Sequence, residues 1–151
     1  MASSLVKINI HLIFHVKSTG VNMKTNDLPQ IFQYIGGIIR GMDAIPIEIG
    51  GMPDHIHILT SLPKSMALTD FVRDIKANSS KWMKQRDVGY ARFSWQDGYG
   101  AFSVSPSLLE KTINYIRRQE EHHKKRTFRE EYKMFLEHYG IEYDERYAFG
   151  D

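Results

Sequence analysis

The stretch that decides the fold is residues 45–61, IPIEIGGMPDHIHILTS. Residues 45–49 and 55–61 are short runs dominated by apolar side chains, which is typical of strands. The Gly-Gly-Met-Pro sequence at 50–53 lies between them and is typical of a turn. These residues therefore predict a β-hairpin.

The segments outside the hairpin predict an order of β-α-β-β-α-β-α, followed by a C-terminal tail. Residues 5–17 alternate with a period of two, which predicts the first strand. The other predicted elements are a helix after Asp27 with Pro29 in its first turn, a helix capped by Ser65, a short strand at 101–104, a third helix with a Ser107–Glu110 capping box, and a short helix from Phe128 to His138.

This order predicts an α+β fold of the ferredoxin-like, split β-α-β type. We expect one antiparallel sheet with the helices packed on one face. A length of 151 residues fits a single domain spanning residues 1–151, in which 127–151 form an acidic C-terminal tail.

Composition excludes several classes of protein. The chain has no cysteine, which excludes disulfides and thiolate metal sites and suits a cytoplasmic location. No stretch approaches the roughly 20 apolar residues of a membrane span, and Met1 to Ser4 lead into a strand pattern without a secretory signal. A phosphate-binding glycine loop is also absent from the sequence, so no nucleotide cofactor is expected.

Charge is distributed unevenly along the chain. Residues 61–92 contain seven lysines and arginines against three aspartates, and residues 110–126 contain six against three glutamates. Residues 127–151 reverse this balance, with three basic against seven acidic side chains. A basic middle is typical of a surface that binds a polyanion, although ordinary solvated helix faces would give the same counts.

The hairpin also carries the first candidate site residues, His55 and His57. Residues i and i+2 of a strand point to the same face, so both imidazoles could bind one ion, whereas Ile56 points into the core. An isolated pair of solvated or hydrogen-bonded histidines has the same pattern.

The second candidate group is the run Tyr115-Ile116-Arg117-Arg118-Gln119 in the third helix. Tyr115 and Gln119 are four residues apart and share a helix face. Alone, this pattern also fits a tyrosine at the edge of the core. Together with the histidine pair it indicates phosphoryl transfer, since a phenol with an ordinary pKa near 10 needs a nearby cation to react at neutral pH. The donor types suit Mg²⁺ or Mn²⁺, although imidazole also accepts Zn²⁺.

Five segments in this order resemble the single-tyrosine HUH transposases, the insertion-sequence-200-like group that includes the repeat-associated tyrosine transposases. The segments are INIHLIF at 8–14, PDHIHIL at 53–59, IKANSSKW at 75–82, WQDGYGAFSVS at 95–105 and YIRRQEEHH at 115–123. The resemblance covers nearly the whole chain, although more compact relatives stop sooner after the tyrosine helix.

The resemblance implies a set of roles for this chain. It makes Tyr115 the nucleophile that forms a 5′-phosphotyrosine link, and it makes His55, His57 and Gln119 the ligands of Mg²⁺ or Mn²⁺. It further implies single-stranded DNA with hairpins as substrate, and a homodimer in which one subunit's tyrosine helix can complete the other's site. The expected DNA-binding residues are Arg73, Lys76, Lys81, Lys84, Arg117 and Arg118.

Two other functions remain open from the sequence. One is a non-catalytic protein that binds structured single-stranded nucleic acid, as a domesticated relative would. The other is a metal-dependent hydrolase of small phosphoesters, which would use the two histidines but not Tyr115.

Overall fold

The computed structural model describes residues 4–150 and has the predicted order of elements. The strands are β1 (Asn9–His15), β2 (Pro46–Met52), β3 (His55–Ser61) and β4 (Gly100–Ser103). The helices are α1 (Leu28–Gly41), α2 (Leu68–Arg86), α3 (Leu109–Arg117), α4 (Gln119–His122), α5 (Phe128–His138) and α6 (Glu145–Ala148).

Residues 1–3, part of the opening segment in which no secretory signal was expected, lie outside the described residues. Within residues 4–150, every helix is too short or too polar to cross a bilayer.

The four strands form one antiparallel sheet in the order β2-β3-β1-β4. The predicted hairpin is β2 and β3, but β2 continues to Met52, so the turn is shorter than the predicted 50–53. Gly51 has a φ of 152°, and a Cβ there would lie 2.3 Å from the carbonyl oxygen of His55. Glycine is therefore required where the hairpin closes.

One face of the sheet packs against α1 and α2. Alternate residues of β1 and β3 point to this face, as the strand pleat dictates. The buried side chains that meet here include Leu12, Phe14, Ile56, Ile58, Ile31, Ile35, Phe71 and Ile75. This layer is the main core of the protein.

The opposite face is covered by α3 and α5. Ile13 of β1 packs with Tyr132 and Leu136 of α5, and Leu59 of β3 packs with Ile116 of α3. The α+β class and the ferredoxin-like antiparallel sheet are thus confirmed, whereas helices lie on both faces rather than on one. The reason is that β1 and β3 are buried on both sides, so neither face can be left to solvent.

The start of α3 differs from the prediction, whereas α5 spans the predicted Phe128–His138. The Ser107–Glu110 capping box does not form, because residues 106–108 are a short 3-10 turn and α3 begins only at Leu109 without a side-chain cap. A complete capping box lies instead at Thr127 and Glu130, at the start of α5. It satisfies backbone N–H groups at that end and fixes where α5 begins.

Candidate active site

The two histidines of β3 point to the face covered by α3 and α5, as their spacing predicts. Both side chains are fully buried. His55 Nδ1 lies 2.8 Å from the Asp54 carboxylate, and His57 Nδ1 lies 2.8 Å from His11 Nε2. Since each Nδ1 has a partner behind the ring, both Nε2 atoms are turned toward the same space in front of the sheet.

Tyr115 and Gln119 reach that space from α3 and α4. The helix is interrupted at Arg118, yet both side chains still point to the histidines. The Tyr115 and His57 ring centroids are 5.9 Å apart, and Gln119 Oε1 lies 3.0 Å from His55 Nε2. All four predicted site residues therefore meet within a single chain.

Glu131 of α5 stands at the centre of this cluster and was not predicted. Its side chain is only 1% exposed and accepts a hydrogen bond from the Tyr115 hydroxyl. Its Oε1 lies 2.9 Å from His57 Nε2, and its Oε2 accepts a hydrogen bond from the Gln119 amide nitrogen at 3.1 Å. One signal for it was available, because Glu131 shares its helix face with Phe128, Tyr132 and Phe135, which pack in an apolar cluster.

His123 is a second residue that the sequence did not single out as part of the site. Its Nε2 lies 3.0 Å from Gln119 Oε1, and its ring centroid is 4.5 Å from that of His55. The neighbouring His122 stacks on Tyr115 with ring centroids 4.5 Å apart. These two histidines therefore line the site from the side of α4, whereas their sequence alone is equally typical of solvated residues.

Burial and neighbouring charges set the protonation states of the cluster. Burial lowers the pKa of His57, and burial together with the nearby His57 lowers that of His11 well below its usual value. Burial acts to raise the pKa of Glu131, but hydrogen bonds from His57 and Tyr115 outweigh it, so the pKa lies well below the usual range. Burial and the Glu131 carboxylate raise the pKa of Tyr115 far above its ordinary value. Near neutral pH, His11 and His57 are thus uncharged, Glu131 is a carboxylate and Tyr115 is a protonated phenol.

The donor atoms fit a divalent cation. One nitrogen each of His55 and His57 and one oxygen of Glu131 all lie within 4.8 Å of one another. Around an ion with bonds of about 2.1 Å, adjacent ligands of an octahedron are roughly 3 Å apart, and the His55–Gln119 and His57–Glu131 contacts have this spacing. A neutral His57 and an ionised Glu131 are also in the protonation states that metal binding requires.

The expected DNA-binding residues lie in two places. Arg73, Lys76, Lys81 and Lys84 belong to α2, on the far side of the sheet from Tyr115, whereas Arg117 and Arg118 lie at the end of α3 beside the site. The Lys76 ammonium donates to the carbonyl oxygens of residues 96, 97 and 98, which holds that loop in place. Contact of any of the six with DNA stays a prediction.

Comparison with known proteins gives a consistent result. The sequence profile of the family described as "Transposase IS200 like" matches residues 4–119. The ISDra2 transposase TnpA of Deinococcus radiodurans is 27% identical over 121 residues, with 75% of this chain and 84% of that protein covered.

Two solved structures share the fold. A crystal structure of a chain from Deinococcus radiodurans R1, described as a candidate transposase, has a TM-score of 0.60 at 19% identity and covers 79% of this chain and 95% of its own. A REP-associated tyrosine transposase bound to a REP hairpin has a TM-score of 0.59 at 13% identity and covers 82% of this chain and 73% of its own. The profile match spans most of the chain and includes all four predicted site residues, the last of which, Gln119, is where the match ends. The chain belongs to the IS200-like transposase family.

Proposed function

We propose that this protein is a metal-dependent DNA transposase that cleaves and rejoins single-stranded DNA through a 5′-phosphotyrosine link at Tyr115. The observation that carries this proposal is the convergence of Tyr115, Gln119, His55 and His57 around one buried point. A phenol beside a cation site is the arrangement that nucleophilic attack on a phosphodiester needs.

The cleavage step transfers a phosphoryl group from DNA to the protein. The Tyr115 oxygen forms a bond to phosphorus, the bond between phosphorus and the 3′-oxygen breaks, and the released strand ends in a 3′-hydroxyl. The Tyr115 hydroxyl donates to Glu131, so this carboxylate is the acceptor in place for the phenol proton. Because a phosphotyrosyl ester keeps the bond energy of the phosphodiester, another 3′-hydroxyl can reverse the step without a nucleotide.

The proposed cation site uses His55, His57 and Gln119 as ligands of Mg²⁺ or Mn²⁺. When bound there, the cation would neutralise charge on the phosphate and stabilise the leaving 3′-oxygen. The protein's part is to orient the ligands: Asp54 holds His55, and His11 holds His57.

The proposed substrate is single-stranded DNA that carries hairpins near the cleavage sites. The REP hairpin in the structure of the related transposase supports this choice. We further propose that the protein acts as a homodimer, as the family resemblance implies. The meeting of Tyr115 with His57 and of Gln119 with His55 within one chain supports a site assembled without tyrosine-helix exchange.

The test is covalent capture of DNA. Purified protein is incubated with labelled single-stranded hairpins, with and without Mn²⁺, and the products are separated on a denaturing gel. We expect a protein–DNA adduct with the wild type that requires Mn²⁺, none with Tyr115→Phe, and a much weaker one with His57→Ala.

The matched control is Tyr147→Phe, which removes an exposed phenol in α6. It should form the adduct like the wild type. An adduct that persists in Tyr115→Phe would exclude Tyr115 as the nucleophile. Tight hairpin binding without any adduct would favour the non-catalytic binding protein instead.

A further inference from the structure

We propose that Glu131 is an additional ligand of the catalytic cation, so that cation binding fastens the C-terminal helix α5 over the active site. This inference rests on the proposed function, because it concerns the same cation. The IS200-like profile ends at Gln119, and α5 begins nine residues later at Phe128. Glu131 would therefore be a ligand that this chain adds from outside the matched region.

The geometry around Glu131 is that of a ligand. Its Oε1 lies 2.9 Å from His57 Nε2 and 3.6 Å from His55 Nε2, which are separations of neighbouring ligands around one small cation. Two imidazoles with one carboxylate form a donor set that binds divalent transition ions. All three side chains are at most 1% exposed, so no bulk water screens the carboxylate.

The hydrogen bonds around His55 indicate where the cation belongs. Because His55 Nδ1 faces the Asp54 carboxylate, the ring proton of a neutral His55 lies on Nδ1 and its Nε2 carries a lone pair. The Gln119 amide nitrogen donates to Glu131, which turns Gln119 Oε1 toward that lone pair at 3.0 Å. A cation lying between His55 Nε2 and Gln119 Oε1 would bind both of these acceptors.

The position of α5 means that a bond from Glu131 to the cation would help to hold this helix against the sheet. The helix is held to the sheet by a small apolar cluster, in which Tyr132 and Leu136 pack against Ile13 and Phe102. Glu131 directly precedes Tyr132 in α5. A bond from its carboxylate to the cation would therefore hold the helix to the sheet at the same place as this packing. Loading the site should therefore make α5 harder to open.

The first experiment measures Mn²⁺ binding to the full-length protein without DNA, by titration calorimetry and by the EPR signal of free Mn²⁺. We expect Glu131→Gln, which keeps the shape but removes the charge, to raise the Kd by about tenfold or more. Glu137→Gln removes an exposed carboxylate from the same helix and should leave the Kd unchanged. His57→Ala is included as the reference for loss of a ligand.

The outcomes separate this inference from the proposed function. If Glu131→Gln binds Mn²⁺ like the wild type whereas His57→Ala does not, Glu131 is not a ligand and only this inference fails. If both variants bind like the wild type, the cation site of the proposed function fails as well.

The second experiment needs no variant and so does not depend on how Glu131→Gln folds. Hydrogen exchange of the wild-type protein is followed with and without Mn²⁺. We expect amides of α5 to exchange several-fold more slowly with Mn²⁺, and those of α1 to change little. Faster or unchanged exchange in α5 would mean that the cation does not bind this helix, and would overturn the proposal.

Discussion

At the scale of single residues, the site depends on the side chains behind the ligands. His55 is oriented by Asp54, and His57 by His11, each through a contact of 2.8 Å at Nδ1. Such partners orient both rings, and the Asp54 carboxylate also favours the His55 tautomer whose Nε2 lone pair faces the proposed cation site. Losing one should therefore weaken the cation site without removing any ligand.

Asp54 provides the direct test of this orientation. Asp54→Ala should weaken Mn²⁺ binding by about 10- to 100-fold, because His55 loses the acceptor that keeps its proton on Nδ1. The hydrogen bond to His55 lowers the pKa of Asp54, so the carboxylate is ionised at the pH of the measurement. Titration calorimetry gives the Kd. Asp74→Ala, which removes a partly exposed carboxylate on α2, is the control and should bind like the wild type.

Ser79 offers a prediction about stability rather than function. Its hydroxyl accepts a hydrogen bond from the buried Trp95 indole at 3.0 Å and donates to the Ile75 carbonyl oxygen. Ser79→Ala should lower the free energy of unfolding by roughly 1–3 kcal/mol, because the indole N–H is left buried without an acceptor. Denaturant unfolding measures this. The neighbouring Ser80→Ala should change little, and an equal loss in both variants would contradict the assignment.

At the scale of elements, the contact between β2 and α3 positions Tyr115, the proposed nucleophile. A Cβ added to Gly50 would lie 2.8 Å from both the carbonyl oxygen and the Cγ2 of Ile116. Ile116 directly follows Tyr115, so the closeness of this strand and helix sets how near Tyr115 comes to the histidines. Gly50 in β2 therefore affects how closely Tyr115 approaches the histidines of the candidate site.

Gly50→Ala should separate β2 from α3 and slow adduct formation by roughly tenfold or more, because small displacements of a reacting group cost rate steeply. It should also destabilise the fold by about 1–3 kcal/mol through overpacking. The covalent-capture gel and denaturant unfolding report the two effects. Gly37→Ala, in open space on α1, is the control and should stabilise the protein slightly without changing the rate.

The strands and helices also show which parts of the candidate site could be predicted from the sequence and which could not. His55 and His57, and likewise Tyr115 and Gln119, are close in sequence, so strand and helix periodicity alone places each pair on one face. That the pairs meet depends on α3 crossing the sheet, which the family resemblance implied and local patterns did not. Glu131 was not predicted, because its closeness to the histidines depends on how α5 packs on the sheet. A carboxylate on an apolar helix face was nevertheless a usable signal.

At the scale of the whole molecule, the basic residues are divided between the two faces of the sheet. Lys81 and Lys84 are exposed on α2, opposite the active site, and they form no ion pair within residues 4–150. Arg117 lies beside the site, where it pairs with Glu48 at 3.0 Å. Helix α5, which carries Glu130, Glu131 and Glu137 of the acidic segment, covers the face on which the candidate site lies. A long substrate would therefore have to follow the molecule around its edge to reach both basic regions.

This arrangement predicts how hairpin binding responds to salt. Each contact between a lysine and a phosphate releases about 0.7 to 0.9 of a counterion. If Lys81 and Lys84 each neutralise one phosphate, the double variant Lys81→Ala/Lys84→Ala should therefore reduce the slope of log K against log salt by about 1.5. Binding should weaken similarly for different sequences, because such contacts carry no base information. Fluorescence anisotropy across a salt series measures the slope. Lys133→Ala removes a lysine already paired with Glu145 on the acidic segment, and its slope should match the wild type. An unchanged slope in the double variant would place the hairpin away from α2 and leave Arg118 and its neighbours beside the active site as the phosphate contacts.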